Sequence, residues 1–253
     1  MKIIVAIKQV PERDAQISLT PDGRLDETGL GYTINEPDAY ALEEALQLKE
    51  KHGGEVIALS AGPERVASTL RDALAKGADR AIHILDETPG ARDTLGLARL
   101  LAGAISAESP DLILTGLQSD DLGLGQTGVV LAELLGMPHA TIILQVEKTD
   151  VGLRVKRELE DGWFQHVEMP LPALLTIQSG GNKLRYATLM GIKRAKTKET
   201  KVIPAAPATA PPAIELARVY PPEKQKRTER LTGTPPEIAA KLVEKLKFEV
   251  RVL

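Results

Sequence analysis

The segment GLQSDDLGLGQTGVVLAELLG, residues 116–136, is where residue types and spacing point most sharply to chemistry. Closely spaced glycines let a backbone approach an anion, and free N–H groups on Gln126, Thr127 and Gly128 at a helix start favour a phosphate. Gly123-Leu-Gly125-Gln-Thr-Gly128 also fits the Gly-x-Gly-x-x-Gly pattern of dinucleotide sites, with Glu147 about 20 residues further on. That fingerprint belongs directly after a strand, usually in the first βα turn. Here a further loop follows Gly116 and the unit is the fourth along the chain, which speaks against a nicotinamide site. A nicotinamide-dependent dehydrogenase, and a loop that only turns the chain, stay open beside nucleotide binding. Asp120 and Asp121 are adjacent carboxylates that suit a cation, a base, or hydrogen-bond acceptance near a helix start.

Other catalytic constellations are missing from the sequence. It has no Gly-x-Ser-x-Gly elbow, no Walker lysine loop and no His-Glu-x-x-His. His52, His83, His139 and His166 lie far apart, none at metal-ligand spacing from another. The absence of cysteine removes disulfides, thiolate metal sites, iron–sulfur ligation and a thiol nucleophile.

The elements that must position the glycine loop follow from hydrophobic period. A 253-residue chain with 43% hydrophobic and 26% charged residues is long enough and balanced enough for a globular core without staples. Residues 2–8 read as a buried strand and 34–51 as a helix, capped by Asn35 with Pro37 in its first turn. Residues 17–29 between them read as a hairpin turning at Pro21-Asp22-Gly23. Strands at 55–61, 80–85 and 111–116 alternate with helices at 63–76, about 93–107 and about 125–135. Four strand–helix units imply an α/β fold with an open, mostly parallel sheet and helices on both faces. In such a sheet the βα ends meet along one crevice, which brings Ala6, Asn35, Ala61 and the glycine loop together.

After residue 140 the pattern changes to strands at 140–149, 153–159, 163–169 and 173–179 with short turns, expected as flanking antiparallel strands. From Val202, a Pro/Ala-rich linker including 203–215 leads to a helix over 236–246 and a strand over 248–253, together a C-terminal arm that docks on a partner. The division expected is 1–200 for the α/β domain and 201–253 for linker and arm.

Residues 183–198, KLRYATLMGIKRAKTK, set Arg185, Lys193, Arg194 and Lys196 around Leu189, Met190 and Ile192. An apolar anchor rimmed by charge suits transient docking, because charge speeds encounter and the anchor supplies contact energy. A solvated amphipathic helix packed on its own domain is the alternative. With a net charge of −3 and a pI near 5.9, nucleic acid is not an expected partner. No apolar run reaches membrane-spanning length, so membrane insertion is not expected and a cytoplasmic location is.

The stretch Val155–Thr176 resembles the signature of the electron transfer flavoprotein beta subunit. Arg157 fills its basic place, Glu160 its acidic one, then come Asp161, Gly162, Gln165, Val167, and Pro172 ahead of Leu174, Leu175 and Thr176. VAIKQVP, NEPDAYALEEAL, SAGP, ALAKGAD, GLQSDD, GQTG and RYATLMGIKRAK resemble the same family in the same order, from residue 1 to about 200. The resemblance implies an adenine-nucleotide alpha-hydrolase-like fold and a heterodimer with an electron transfer flavoprotein alpha subunit that holds most of the FAD. It implies AMP in this chain, lined by Ala6, Asn35, Glu36, Pro37, Asp38 and Ala61. Gly116, Gln118, Asp121, Gly123, Gly125, Gln126 and Thr127 complete that lining, the phosphate lying against the last two. It also implies a recognition loop at 183–198 for acyl-CoA and related dehydrogenases, anchored by Leu189. Electrons would pass on to a quinone-linked oxidoreductase, the chain being a carrier subunit without catalytic residues of its own. Arg13 stands near the place where some members put an aromatic residue beside the flavin. Ala61 and Asp38 stand where some have cysteines. A bifurcating relative with a second FAD in place of AMP, or a stand-alone stress-type nucleotide-binding regulator, are the alternatives.

Overall fold

The structure is a computed structural model that describes all residues except 209, 215, 222–227 and 253. The chain divides into two compact units, Met1–Ser18 with Leu25–Ala217, and Leu19–Arg24 with Arg218–Leu253.

The first unit is built on a nine-stranded sheet. In chain order its strands are β1 (Lys2–Ala6), β4 (Glu55–Gly62), β5 (Arg80–Leu85), β6 (Leu112–Gly116), β7 (His139–Lys148), β8 (Leu153–Glu158), β9 (Phe164–Met169), β10 (Ala173–Ile177) and β11 (Thr200–Pro204). A separate antiparallel pair joins β2 (Gln9–Pro11) to β3 (Tyr32–Ile34). Across the sheet the order is β11-β5-β4-β1-β6-β10-β7-β8-β9, parallel from β11 to β7 and antiparallel over the last two pairings. β1 is a continuous apolar run because both faces are covered. Ile3 and Val5 join the core beneath α1 (Glu36–His52) and α2 (Ala67–Lys76), while Ile4 joins that beneath α3 (Thr94–Ser106) and α4 (Thr127–Leu135). In β8, Leu153 and Val155 are buried and Arg154 is exposed, the alternation of a strand with one wet face.

The hairpin expected within 17–29 is present, and two other segments differ from expectation. Asp26 N–H donates to Ser18 O at 2.9 Å and Thr20 N–H to Arg24 O at 2.8 Å, in the stretch that joins β2 to β3. Inside that stretch the Pro21-Asp22-Gly23 turn is present, with Gly23 N–H donating to Thr20 O at 2.9 Å. Thr20 and Asp26 add local side-chain bonds, to Asp22 and with the Thr28 amide. The expected linker starts too early, since Thr200–Pro204 runs parallel to β5 from Ala81 to Leu85. Ile203 packs into the α3 face, and Pro204 sits on an edge strand, where its missing N–H costs little. Residues 209 and 215 of that linker lie outside the described residues.

In the second unit α6 (Pro235–Lys245) is capped by Thr234 and Glu237 in a reciprocal box. It runs on into a wide helical turn at Leu246–Val250, where a strand was expected, with residue 253 outside the described residues. Lys245 Nζ lies 2.9 Å from Glu249 Oε1, a pair at helical spacing that favours the turn over extension.

Candidate functional site

β1 and β6 are neighbours, yet their chain connections leave in opposite directions, so the carboxyl ends of these two strands form the topological switch point of the sheet. Ala6 ends β1 and Gly116 ends β6. β4 adjoins β1 on the other side and places half-buried Ala61 along the same edge. The expected crevice residues are thus brought to one end of three adjacent strands.

The start of α1 knits that end together. Asp38 is buried, and its carboxylate accepts from Lys8 N and Gly116 N, each at 2.7 Å. Burial pushes this carboxyl up to about 7, although the two amides pull it down. A Cβ on Gly116 would overlap the Asp38 carboxylate and come within 2.7 Å of Pro37 Cβ, so only glycine fits. Asn35, also buried, heads α1 but does not cap it with its side chain. Nδ2 donates to Gln118 O at 2.9 Å and Oδ1 accepts from Asp120 N at 2.8 Å. Asp120 Oδ2 returns the favour by accepting the free Glu36 N–H at 3.0 Å. Asp120 therefore serves as a helix-start acceptor reaching across from another loop. Glu36 also pairs with Arg13, which is three-quarters exposed.

Lys8 was not among the expected site residues. Its ammonium contacts Asp121 Oδ1 at 2.6 Å and Ser119 Oγ at 3.3 Å. Burial raises the Asp121 carboxyl, but hydrogen bonds from Lys8 and Ser119 outweigh it and hold the group below the usual range. A lysine closing the buried apolar run of residues 2–8 was the signal available.

Residues 117–126 then lead to α4. Gly123 and Gly125 have φ of +62° and +63°, left-handed conformations that glycine adopts without strain. Gln126 occupies the cap position of α4 without a side-chain cap bond, and Gln118 and Gln126 are exposed. Gly128 lets this helix close on β6 and β10, because a Cβ there would meet Thr115 Oγ1 at 2.8 Å. Glycine backbone and an uncapped helix start leave the N–H groups at Gln126 and Thr127 able to meet an anion. The loop between β6 and α4 also removes the glycines from the place a dinucleotide fingerprint occupies.

A cavity of about 240 Å³ lies elsewhere, between α3 and β11, lined by Ile82, Ile84, Leu100 and Ile203 with Arg99 and Lys201 at its rim. Glu108 also lines it, with its carboxylate paired to Arg80 at 2.6 Å.

The segment 183–198 forms α5 (Leu189–Ala195), with Thr188 Oγ1 accepting from Gly191 N at 3.0 Å as cap. Leu189 is 88% exposed, and Met190, Ile192, Lys193, Arg194 and Lys196 are exposed around it. Ala195 is buried, and α5 packs on α2 so closely that a Cβ on Gly191 would strike Ala75 O. Arg185 is turned away from this rim. Its guanidinium binds Glu43 Oε2 at 2.7 Å and Glu50 Oε1 at 2.6 Å on α1. Lys198 Nζ donates to Leu74 O at 3.0 Å and to Ala78 O, holding the end of α2.

Of the histidines, His83 is buried with Nε2 3.0 Å from Gly62 O, a packing role. Among the described residues no group of His, Asp and Glu is placed to hold a metal, and no helix is long and apolar enough to cross a membrane.

Residues 22–208 match the family model of the electron transfer flavoprotein domain. The chain is 39% identical to the electron transfer flavoprotein subunit beta of Methylophilus methylotrophus, over 96% of this chain and 97% of the relative. It is 36% identical to the subunit of the same name from Syntrophomonas wolfei, over 100% and 98%. It is 34% identical to the acryloyl-CoA reductase electron transfer subunit gamma of Anaerotignum propionicum, over 97% and 98%.

Proposed function

Because the chain belongs to the electron transfer flavoprotein family, among its beta subunits, we propose that it works as half of a heterodimeric electron carrier, paired with an alpha subunit that holds most of the FAD. AMP occupies the switch-point crevice of this chain. The carrier accepts electrons from flavoprotein dehydrogenases such as acyl-CoA dehydrogenases and passes them to a quinone-linked oxidoreductase, in the cytoplasm and without membrane insertion.

The observation that carries this reading is the loop Gly116–Thr127, pinned at its start by Asp38 and Asn35 and ending at an uncapped helix. Backbone N–H groups at Gln126 and Thr127 suit the phosphate, and Ala6 and Ala61 leave room for a flat base against the strand ends. FAD supplies the electron chemistry when bound. This chain's residues hold the nucleotide, shape the face that meets the alpha subunit, and present α5 to the dehydrogenase. Leu189 enters an apolar pocket on that partner, while Lys193, Arg194 and Lys196 speed encounter. The linker and arm that follow β11 contact the alpha subunit. As a carrier subunit, the chain contributes no acid, base or nucleophile.

The test is to co-express the chain with its alpha partner and mix the complex with acyl-CoA dehydrogenase reduced by its substrate. Bleaching of the carrier's flavin absorbance supports the reading. A flavin that stays oxidised against a panel of reduced dehydrogenases contradicts it.

A further inference from the structure

Lys8 is the residue at which three segments of the crevice meet. Its N–H donates to the buried Asp38 carboxylate at 2.7 Å, its C=O accepts from Asn35 N at 2.9 Å, and its ammonium reaches Asp121 at 2.6 Å and Ser119 at 3.3 Å. The first two bonds fix the Lys8 backbone between the end of β1 and the start of α1. The third then ties the loop after β6 to that fixed point. Asp121 Oδ1 accepts the Leu122 N–H at 2.7 Å as well, so the same carboxylate sets where the chain turns towards Gly123.

We propose that Lys8 is a positioning residue, a clasp that holds residues 119–122 in place so that the following glycine turn aims the Gln126 and Thr127 amides into the crevice. This rests on the nucleotide reading above for its purpose, though not for its existence. The rest of the loop supports the assignment. Asn35 and Asp38 hold residues 116, 118 and 120 from the side of α1, and past Asp121 the chain enters the conformationally free Gly123 and Gly125. Within the loop the Gly123 N–H donates to Ser119 O at 2.9 Å, and Lys8 is the side chain from outside the loop that ties it nearest that segment. As the ammonium's partner is a carboxylate of the loop, its work is to shape the loop rather than to contact the phosphate.

The test uses the full-length chain with Lys8→Met, which keeps the stem and removes the charge, Lys8→Arg, Asp121→Asn, and the Lys8→Met/Asp121→Asn pair. Amide hydrogen exchange is followed over 117–126 in nucleotide-free protein, and binding of AMP and of adenosine is measured separately. An ion pair of this exposure is worth a factor of about 2 to 5. Lys8→Met is expected to speed exchange over 117–126 by about that factor, with β1 and α1 unchanged, and to weaken AMP by a similar factor while adenosine, which has no phosphate for the Gln126 and Thr127 amides to meet, changes little. Asp121→Asn should do the same, the pair should add nothing further, and Lys8→Arg should restore most of the loss. Unchanged exchange over 117–126 overturns the clasp, and a loss confined to AMP with unchanged exchange reassigns Lys8 to the phosphate. If wild type binds neither nucleotide while Lys8→Met still loosens the loop, the nucleotide reading fails and the clasp stands.

Discussion

The Asp38 carboxylate fills the space that a side chain at Gly116 would need, and accepts the amide hydrogen of that glycine at 2.7 Å. One contact thereby fastens the first helix to the end of the central strand β6, at the switch point of the sheet. Gly116→Ala should force the two apart and cost about 1–3 kcal/mol, as overpacking in a close-packed site does. Chemical denaturation measures the loss, and the co-purified complex should retain less AMP. An alanine variant of wild-type stability contradicts the geometry.

The same carboxyl gives a pH signature. Its pKa in the fold, about 7, is raised by burial above the ordinary value of 3.8, so the folded chain holds a proton there that the unfolded chain has released. Stability from this group is therefore full below pH 3.8 and is lost as pH rises towards 7. Relative to Asp38→Asn, wild type should lose stability across that window, by at most about 1.4 kcal/mol per pH unit, and level off above it. Parallel denaturation curves of the two proteins at a series of pH values check this. A difference that grows in favour of wild type as pH rises contradicts it.

Arg185 and Leu189 stand four residues apart and should separate cleanly. Arg185→Ala removes the guanidinium from the buried Glu43 carboxylate, leaving it the Gln47 amide and a backbone N–H, and should destabilise the fold by about 1–3 kcal/mol, while docking of a dehydrogenase changes little. Its second partner, Glu50, is largely exposed and adds little. Thermal unfolding beside a binding assay reads both effects.

Leu189→Ala should do the opposite. The side chain is 88% exposed, so its loss leaves stability, heterodimer assembly and flavin content intact, while electron acceptance from a reduced dehydrogenase slows several-fold. Stopped-flow flavin reduction is the measurement. Loss of flavin instead would show that the segment is structural.

The sheet and its crevice were legible because buried parallel strands write themselves as unbroken apolar runs, as in residues 2–8 and 111–116, and the glycines mark where the backbone turns. Other features depend on partners distant in sequence. Asn35 looks like an ordinary helix cap until Gln118 and Asp120 are brought to it, and the role of Lys8 exists only once Ser119 and Asp121 arrive from beyond β6. Arg185 reads as part of a basic rim by composition, but Glu43 and Glu50 of α1 capture it. β11 was hidden by the prolines that follow it, since an edge strand needs no amide from Pro204.

The account turns on what the crevice holds. The complex with the alpha partner should be denatured after purification and the released AMP and FAD counted per heterodimer by chromatography. One AMP and one FAD are expected. Two FAD and no AMP would assign the crevice to a second flavin, and no nucleotide at all would contradict the site built here from Asp38, Asn35 and the loop after Gly116.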